Sequence, residues 1–472
     1  MSSLSVSSIS LNDYLTQSLA YLRQPITNLE HQRSELNVKS AVFSDLSEKL
    51  SELEDVLERL TASGTSALFR QKSVTSSADN LVRATATGDA QAGSHTVFVS
   101  QLARAHAVVS GRYDGSGTTL SSSQAGTRSF SLTVGGETYD ISVDIAAGET
   151  DATVLGNIAT AINDVAEGEV TASYVMDTPG TGKLSIRSGS TGTAGSIAFT
   201  DTDGLLATLG VTNASEATDT VGGYIYADLG GNELDARLTV DGINVISSDN
   251  VVEDVVGGLT ITLLGKQETG DSPVTLTVAV DTESIRSDIQ EFLDTYNEVF
   301  AYLRGKTRVD GVTYERGVLA GEFPYVSLRI GLRGRMSTYV GGASAGYSAL
   351  SQIGITSDRS GRFSITDSSL LEEAIVSAPD ALENLFAGES GIASSIADLV
   401  SGYTAAGGTI SSSEDGISAR IDLIDQSIER QERRLELKEK DLRDQYAALQ
   451  EALYNLEQTS SMVNMFSSMV GM

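Results

Sequence analysis

A seven-residue apolar repeat runs through both ends of the chain. Stepping by seven from Ile421 meets Ile428, Leu435, Leu442, Leu449, Leu456, Val463 and Val470, and every stop is a branched aliphatic. Stepping from Leu15 meets Leu22, Leu29, Leu36, Phe43, Leu50 and Leu57, and from Phe43 onward Leu46, Leu53 and Leu60 fill the half-heptad positions. A strict period of seven puts these side chains in one narrow stripe of a long helix, as in a coiled-coil seam. At the rise of an α-helix the stretch from Ile417 to Val470 spans roughly 80 Å, too long for the inside of one compact domain. It needs a long neighbour, and the N-terminal stretch offers one. Glycine usage agrees: of 46 Gly the first is Gly64, and none falls between Gly416 and Gly471. Gly weakens a helix interior by about 1 kcal/mol, so its absence favours two long helices. Paired terminal helices are expected; the alternative is two amphipathic helices packed separately on globular domains.

The two extremities are short of charge. Met1 to Leu22 holds no basic residue and one acid, Asp13, and Gln458 to Met472 holds no charged side chain. Met462, Met465, Met469 and Met472 share one helical face, with Phe466 beside them, and adaptable methionine suits a contact made on assembly. These ends are expected to be loose in the monomer and buried when copies assemble. Pro25 is expected to break or kink the first helix, because proline lacks the backbone donor.

Composition narrows the partners. Lys and Arg total 32 against 63 Asp and Glu, a net charge of −31, which repels nucleic acid and anionic membrane surfaces alike. With no Cys there are no disulfides, no thiol catalysis and no cysteine-bound zinc. No apolar run approaches the roughly 18 residues of a membrane helix, so no membrane insertion is expected. The start lacks the basic region of a secretory signal, so any export would read an uncleaved N-terminus.

Between Gly64 and Val280 short β-rich runs alternate with Gly, Ser, Thr, Asp and Asn. Strands are expected at Thr96–Ser100, Ser129–Val134, Thr138–Val143, Arg237–Val240, Leu259–Leu264 and Pro273–Val280, with a helix over Asp151–Val165. The stretches Tyr113–Arg128, Gly189–Thr202 and Asn213–Gly223 read as loops. From Asp281 helices return: an amphipathic one carrying Ile285, Ile289, Phe292, Leu293, Tyr296, Val299, Phe300 and Leu303, then a short hairpin over Leu350–Ile365. A helix capped by Asp367, one opened by Pro379 and one over Ile392–Tyr403 follow. The fold class is α+β and multidomain. Residues 1–40 and 431–472 form the terminal helices, 41–71 and 282–430 a helical leg domain, 72–126 and 221–281 a β-rich head, and 127–220 a second head inserted in it.

Catalytic signatures are scarce. His31, His95 and His106 stand in no metal-ligand spacing. Gly182-Lys183 lacks the residues that make a phosphate loop, and no Gly-x-Ser-x-Gly elbow occurs. Asp201-Thr-Asp203-Gly204 lacks the later ligands of a calcium loop and reads as a turn. No enzyme activity and no cofactor are expected.

Val74-Thr-Ser-Ser-Ala-Asp79, Ser94-His-Thr-Val-Phe-Val-Ser-Gln-Leu-Ala103, Leu238-Thr-Val-Asp-Gly242 and Gly257-Gly-Leu-Thr-Ile-Thr-Leu-Leu264 follow one another along the chain. Val280-Asp281, Phe292 to Asn297, Gly317-Val-Leu-Ala-Gly321, Ile353-Gly-Ile-Thr356 and Leu385-Phe-Ala-Gly388 come after them. In this order they resemble the flagellar filament cap family, also called hook-associated protein 2. Thr160-Ala-Ile-Asn163 with Val170-Thr-Ala-Ser173 is similar to a short module of hook-associated proteins. One departure is Ser7-Ser-Ile-Ser10, where the family has a Gly-rich stretch.

The resemblance implies a ring oligomer, expected to be a pentamer, at the extracellular tip of a flagellum, exported by the flagellar type III route. It implies flagellin, the hook–filament junction protein and an export chaperone as partners. Leu29, Leu36, Phe43, Leu50 and Leu57 would form a coiled-coil leg with Ile421, Ile428, Leu435, Leu442, Leu449 and Leu456. Met462, Met465, Phe466 and Met469 would form an assembly tail. The competing readings are a mucin- or glycan-binding adhesin, a hook–filament junction protein, and, least favoured, a hydrolase-like head.

Overall fold

The computed structural model describes residues 8–64, 67–341 and 346–470, with side chains of the terminal helices from Leu15 and up to Phe466. The helices are α1 (Ser8–Thr61), α2 (Thr119–Gln124), α3 (Asp151–Ala166), α4 (Leu205–Leu209), α5 (Thr282–Thr307), α6 (Phe323–Met336), α7 (Ser368–Ser377), α8 (Pro379–Ala387), α9 (Ile392–Thr404) and α10 (Thr409–Val470). The early strands are β1 (Lys72–Ser76), β2 (Val82–Ala86), β3 (Gly93–Gln101), β4 (Ala105–Val109), β5 (Tyr113–Asp114), β6 (Gly126–Val134), β7 (Glu137–Ile145), β8 (Val170–Thr178) and β9 (Thr181–Thr191). Then come β10 (Ala198–Asp201), β11 (Gly223–Tyr226), β12 (Ala236–Val240), β13 (Ile243–Ser247), β14 (Val251–Glu253), β15 (Leu259–Leu263), β16 (Val274–Val280), β17 (Ile355–Ser357) and β18 (Phe363–Ile365). The chain packs as two units, one from its two ends, through Ala62 and from Glu283 on, and one of residues 63–282.

In the first unit α1 runs unbroken through Pro25, against expectation. The carbonyl that proline leaves without a helical donor is that of Tyr21, an exposed residue, and solvent can serve it. From Val42 on, α1 lies antiparallel along α5: Lys49 pairs with Glu298 at 3.3 Å and Arg59 with Glu291 at 2.6 Å. The α5 stripe predicted from its spacing is buried throughout. Asn297 on that helix docks the β17–β18 hairpin, donating to the Phe363 carbonyl at 2.7 Å and accepting its N–H at 2.9 Å. Asp367 caps α7 by accepting from the N–H groups of Ser369 and Leu370.

The second unit holds two cores. In the first, the sheet ordered β1-β16-β3-β12-β13 and the sheet β14-β15-β2 bury Val97, Val99, Leu238, Ile261, Leu263 and Leu276. The β12–β13 hairpin turns on Asp241 and Gly242, with φ of 50° and 80°, the left-handed pair a tight hairpin needs. In the second core α3 packs on β10-β6-β7 and on the sheet ordered β11-β4-β9-β5, with β8 on β9. Asp151 opens α3 and accepts the Leu120 N–H at 2.8 Å, tying α2 to it.

This second core takes in more chain than 127–220. Strand β4 pairs with both β9 and β11, and Val108 and Leu120 lie in this core. Two of the expected loops hold structure: α2 lies within Tyr113–Arg128 and β10 within Gly189–Thr202.

Candidate assembly surface

The terminal helices meet antiparallel. Ile26 on α1 buries against Ile424 and Ile428 on α10, with Leu29, Leu36 and Leu435 half-buried around them. Arg33 and Asp425 pair at 2.9 Å beside this cluster. Further out, Leu22 and Leu442 line one groove. The seam works because both stripes are aliphatic while Arg33, Asp425 and their like occupy its margins.

The heptad residues do not all share this seam. Phe43, Leu50 and Leu57 are buried in the helical body of the unit, Phe43 stacked on Tyr325 of α6 with centroids 5.0 Å apart. The neighbours of α1 on this face are α5, α6, α8 and α9. On α10, Ile421 is half-buried and Ile428 buried, Leu435 and Leu442 are half-buried, and Leu449 and Leu456 are 49% and 69% exposed. Burial fades toward the far end of α10. The Arg33–Asp425 register puts Leu456 beyond Ser8, where the described part of α1 begins.

Past that point α10 continues to Val470 with Met462, Val463, Met465 and Phe466 exposed, Phe466 by 70%. The Met469 side chain, Met472 and the Ser7 end of the Ser7–Ser10 departure lie outside the described residues. An apolar stripe on a helix with no charged residue after Glu457 is a surface poorly suited to water.

His95, His106, Asp201 and Asp203 make structural contacts. The His106 Nδ1 accepts the Ile197 N–H at 2.7 Å, and burial holds its pKa below the ordinary value. His95 Nδ1 sits 2.7 Å from Asp241, which also accepts the Thr96 N–H and is held below the usual carboxylate range, first by His95. Asp201 accepts the Ala207 N–H and Asp203 the Ser129 N–H, so the acidic turn braces α4 and β6. Among the described residues no three His, Asp or Glu side chains converge as metal ligands. None of their helices is long and apolar enough to cross a membrane.

Known proteins share this organisation. The family model described as flagellar hook-associated protein 2 C-terminus matches residues 234–458, and the one for the N-terminus matches 7–106. The A-type flagellar hook-associated protein 2 of Pseudomonas aeruginosa is 27% identical over 461 residues, 94% of this chain and 92% of that protein. The flagellar hook-associated protein 2 of Escherichia coli K12 is 26% identical over 475 residues, 98% of this chain and 97% of its own. The crystal structure of the D1-D2-D3 domains of the flagellar cap protein FliD from Escherichia coli superposes with a TM-score of 0.63 at 25% identity, covering 80% of this chain and 99% of that one.

Proposed function

The chain belongs to the flagellar hook-associated protein 2 family, and from that premise we propose that it caps the distal tip of a bacterial flagellar filament as a ring of several copies, five by the family's pattern. The ring promotes insertion, folding and polymerisation of flagellin arriving through the filament. The observation that carries this reading is the exposed stripe Leu449, Leu456, Met462, Val463, Met465 and Phe466 at the far end of α10. Such a stripe becomes favourable when buried among sister helices and the filament end, at roughly 25 cal/mol per Å² of apolar surface removed from water.

On this reading the outer ends, residues 1–40 and 431–472, enter the filament. The β-rich modules of the second unit form the plate. Template-like shifts of flexible legs open one flagellin site at a time, so no bond is made and no catalytic residue is required. The chain leaves the cell uncleaved by the flagellar type III route, held before export by a chaperone, and is seated first on the hook–filament junction protein.

Deleting residues 458–472 tests this. The shortened chain is expected to be exported and folded, with an unchanged thermal melt, while filaments fail to grow and flagellin collects in the medium. Normal filaments on cells making only the shortened chain would refute the role given to the tail.

A further inference from the structure

Positive charge is unevenly placed in this acidic chain. Residues 304–335 carry seven Lys and Arg against three Asp and Glu, whereas residues 367–398 carry seven Asp and Glu and no basic residue. Both stretches belong to the unit built from the chain ends.

The basic stretch has a built shape. Between α5 and α6 the chain folds back as a finger, with the Asp310 N–H donating to the Glu315 carbonyl and the Gly317 N–H to the Arg308 carbonyl, each at 2.9 Å. The Asp310 carboxylate closes the tip by accepting from the N–H groups of Val312 and Thr313. Tyr314 there takes a φ of 59°, uncommon for an aromatic residue. This ordered tip holds Val312 and Tyr314 87% and 80% exposed. Phe323, at the start of α6, is 78% exposed, and Ile330 lies exposed on the same side of that helix two turns on. A pre-formed turn holding aromatic and aliphatic anchors in water is the anatomy of an interface core. Arg316, Arg329 and Arg333 flank it and form no ion pair with another described residue.

The acidic stretch complements it. On α7, Val376 is exposed, and Glu372 and Glu373, both exposed, stand one turn before it, with Leu370 exposed in the first turn. Within one copy, no ion pair among the described residues joins Arg316 or Arg329 to Glu372 or Glu373. We infer that the finger and α6 of one copy dock on α7 of the next copy, Val312 and Tyr314 seating beside Val376 while Arg316 and Arg329 face Glu372 and Glu373. This is a head-to-tail contact between unlike faces, the kind that closes into a ring. It rests on the ring reading above.

The absence of Cys gives a clean test in the full-length chain. Val312→Cys with Val376→Cys, oxidised, is expected to give a ladder of covalent oligomers on a non-reducing gel, which dithiothreitol collapses; neither single variant gives a ladder. Arg316→Glu with Arg329→Glu should weaken self-association by about tenfold, and adding Glu372→Arg with Glu373→Arg should restore it. If the unaltered chain sediments as an oligomer but the double-Cys chain gives no ladder, the docking is overturned and the ring stands. A disulfide dimer of Val312→Cys alone means that finger meets finger and also overturns it. An unaltered chain that stays monomeric at every concentration removes the ring reading and this contact together.

Discussion

Arg33 on α1 and Asp425 on α10 stand 392 residues apart in the chain, yet their side chains pair at 2.9 Å. Both are substantially exposed, so the pair itself contributes less than about 1 kcal/mol. The apolar seam beside it holds the helices together. Arg33→Ala should therefore leave the outer leg closed, whereas Leu435→Asp with Leu442→Asp should open it. Amide exchange over residues 20–36 and 424–445 would report the opening, while residues 46–60, buried in the helical body, stay protected. Cells carrying the double variant are expected to export the chain and grow no filaments. Equal exchange in the two variants would show that the seam does not hold the leg.

The repeat was readable because it runs without a miss from Ile421 to Val470. The identity of its partners was not. A heptad states which face is buried, and Phe43, Leu50 and Leu57 keep that face while passing from α10 to α5, α6, α8 and α9. Strand β4 was missed because all five of its residues are buried, which removes the alternation that marks a half-exposed strand. Pro25 misled for the opposite reason: proline opposes a helix locally, and the continuous apolar stripe from Leu15 to Leu36 outweighs it. The exposed finger at Val312 and Tyr314 left no sequence signal beyond local charge, since two apolar residues in a short loop are ordinary.

His106 makes the second unit sensitive to acid. Its ring is buried edge-on to Phe199, and Nδ1 must stay unprotonated to accept the Ile197 N–H. Burial lowers its pKa from 6.5, with Asp228 opposing weakly. The unfolded chain then takes up the proton more readily than the folded one. The stabilising contribution is complete above pH 6.5 and is lost as pH falls from there through the folded-state value. His106→Gln should be less stable at about pH 8 yet lose less melting temperature between about pH 7 and pH 5 than the parent. Melting curves of parent and variant that run parallel across that interval would contradict the assignment.

Gly354 joins two elements by a conformation other residues resist. Its φ is +78°, and its carbonyl accepts the N–H groups of Thr366 and Asp367 at 2.8 and 3.1 Å. A methyl group there would press into the Asp367 carbonyl oxygen, at the residue that caps α7. Gly354→Ala combines the left-handed penalty with displacement of that cap and should cost about 2 kcal/mol or more. Denaturant unfolding of the first unit measures it. A loss below about 0.5 kcal/mol would mean that the hairpin and α7 shift apart freely.

Two tyrosines one helical stretch apart should answer the same substitution with opposite signs. Tyr302 donates its hydroxyl to the Val42 carbonyl and to Asp45, both at 3.1 Å, tying α5 to α1. Tyr296 is fully buried between Phe300, stacked at 5.9 Å, and Phe363, edge-on at 5.8 Å, and its hydroxyl finds no partner among the described residues. Burial alone drives the ionisation of Tyr296 far above the usual tyrosine range. An unmet buried hydroxyl costs about 1–3 kcal/mol, and removing its oxygen leaves the ring packing in place. Tyr296→Phe should therefore stabilise the first unit by about 1 kcal/mol, and Tyr302→Phe should destabilise it by a similar amount, about 1 kcal/mol. Denaturation midpoints at equal slope decide the matter. If both variants lose stability, the Tyr296 hydroxyl has a partner, and the aromatic cluster on α5 is more polar than its geometry indicates.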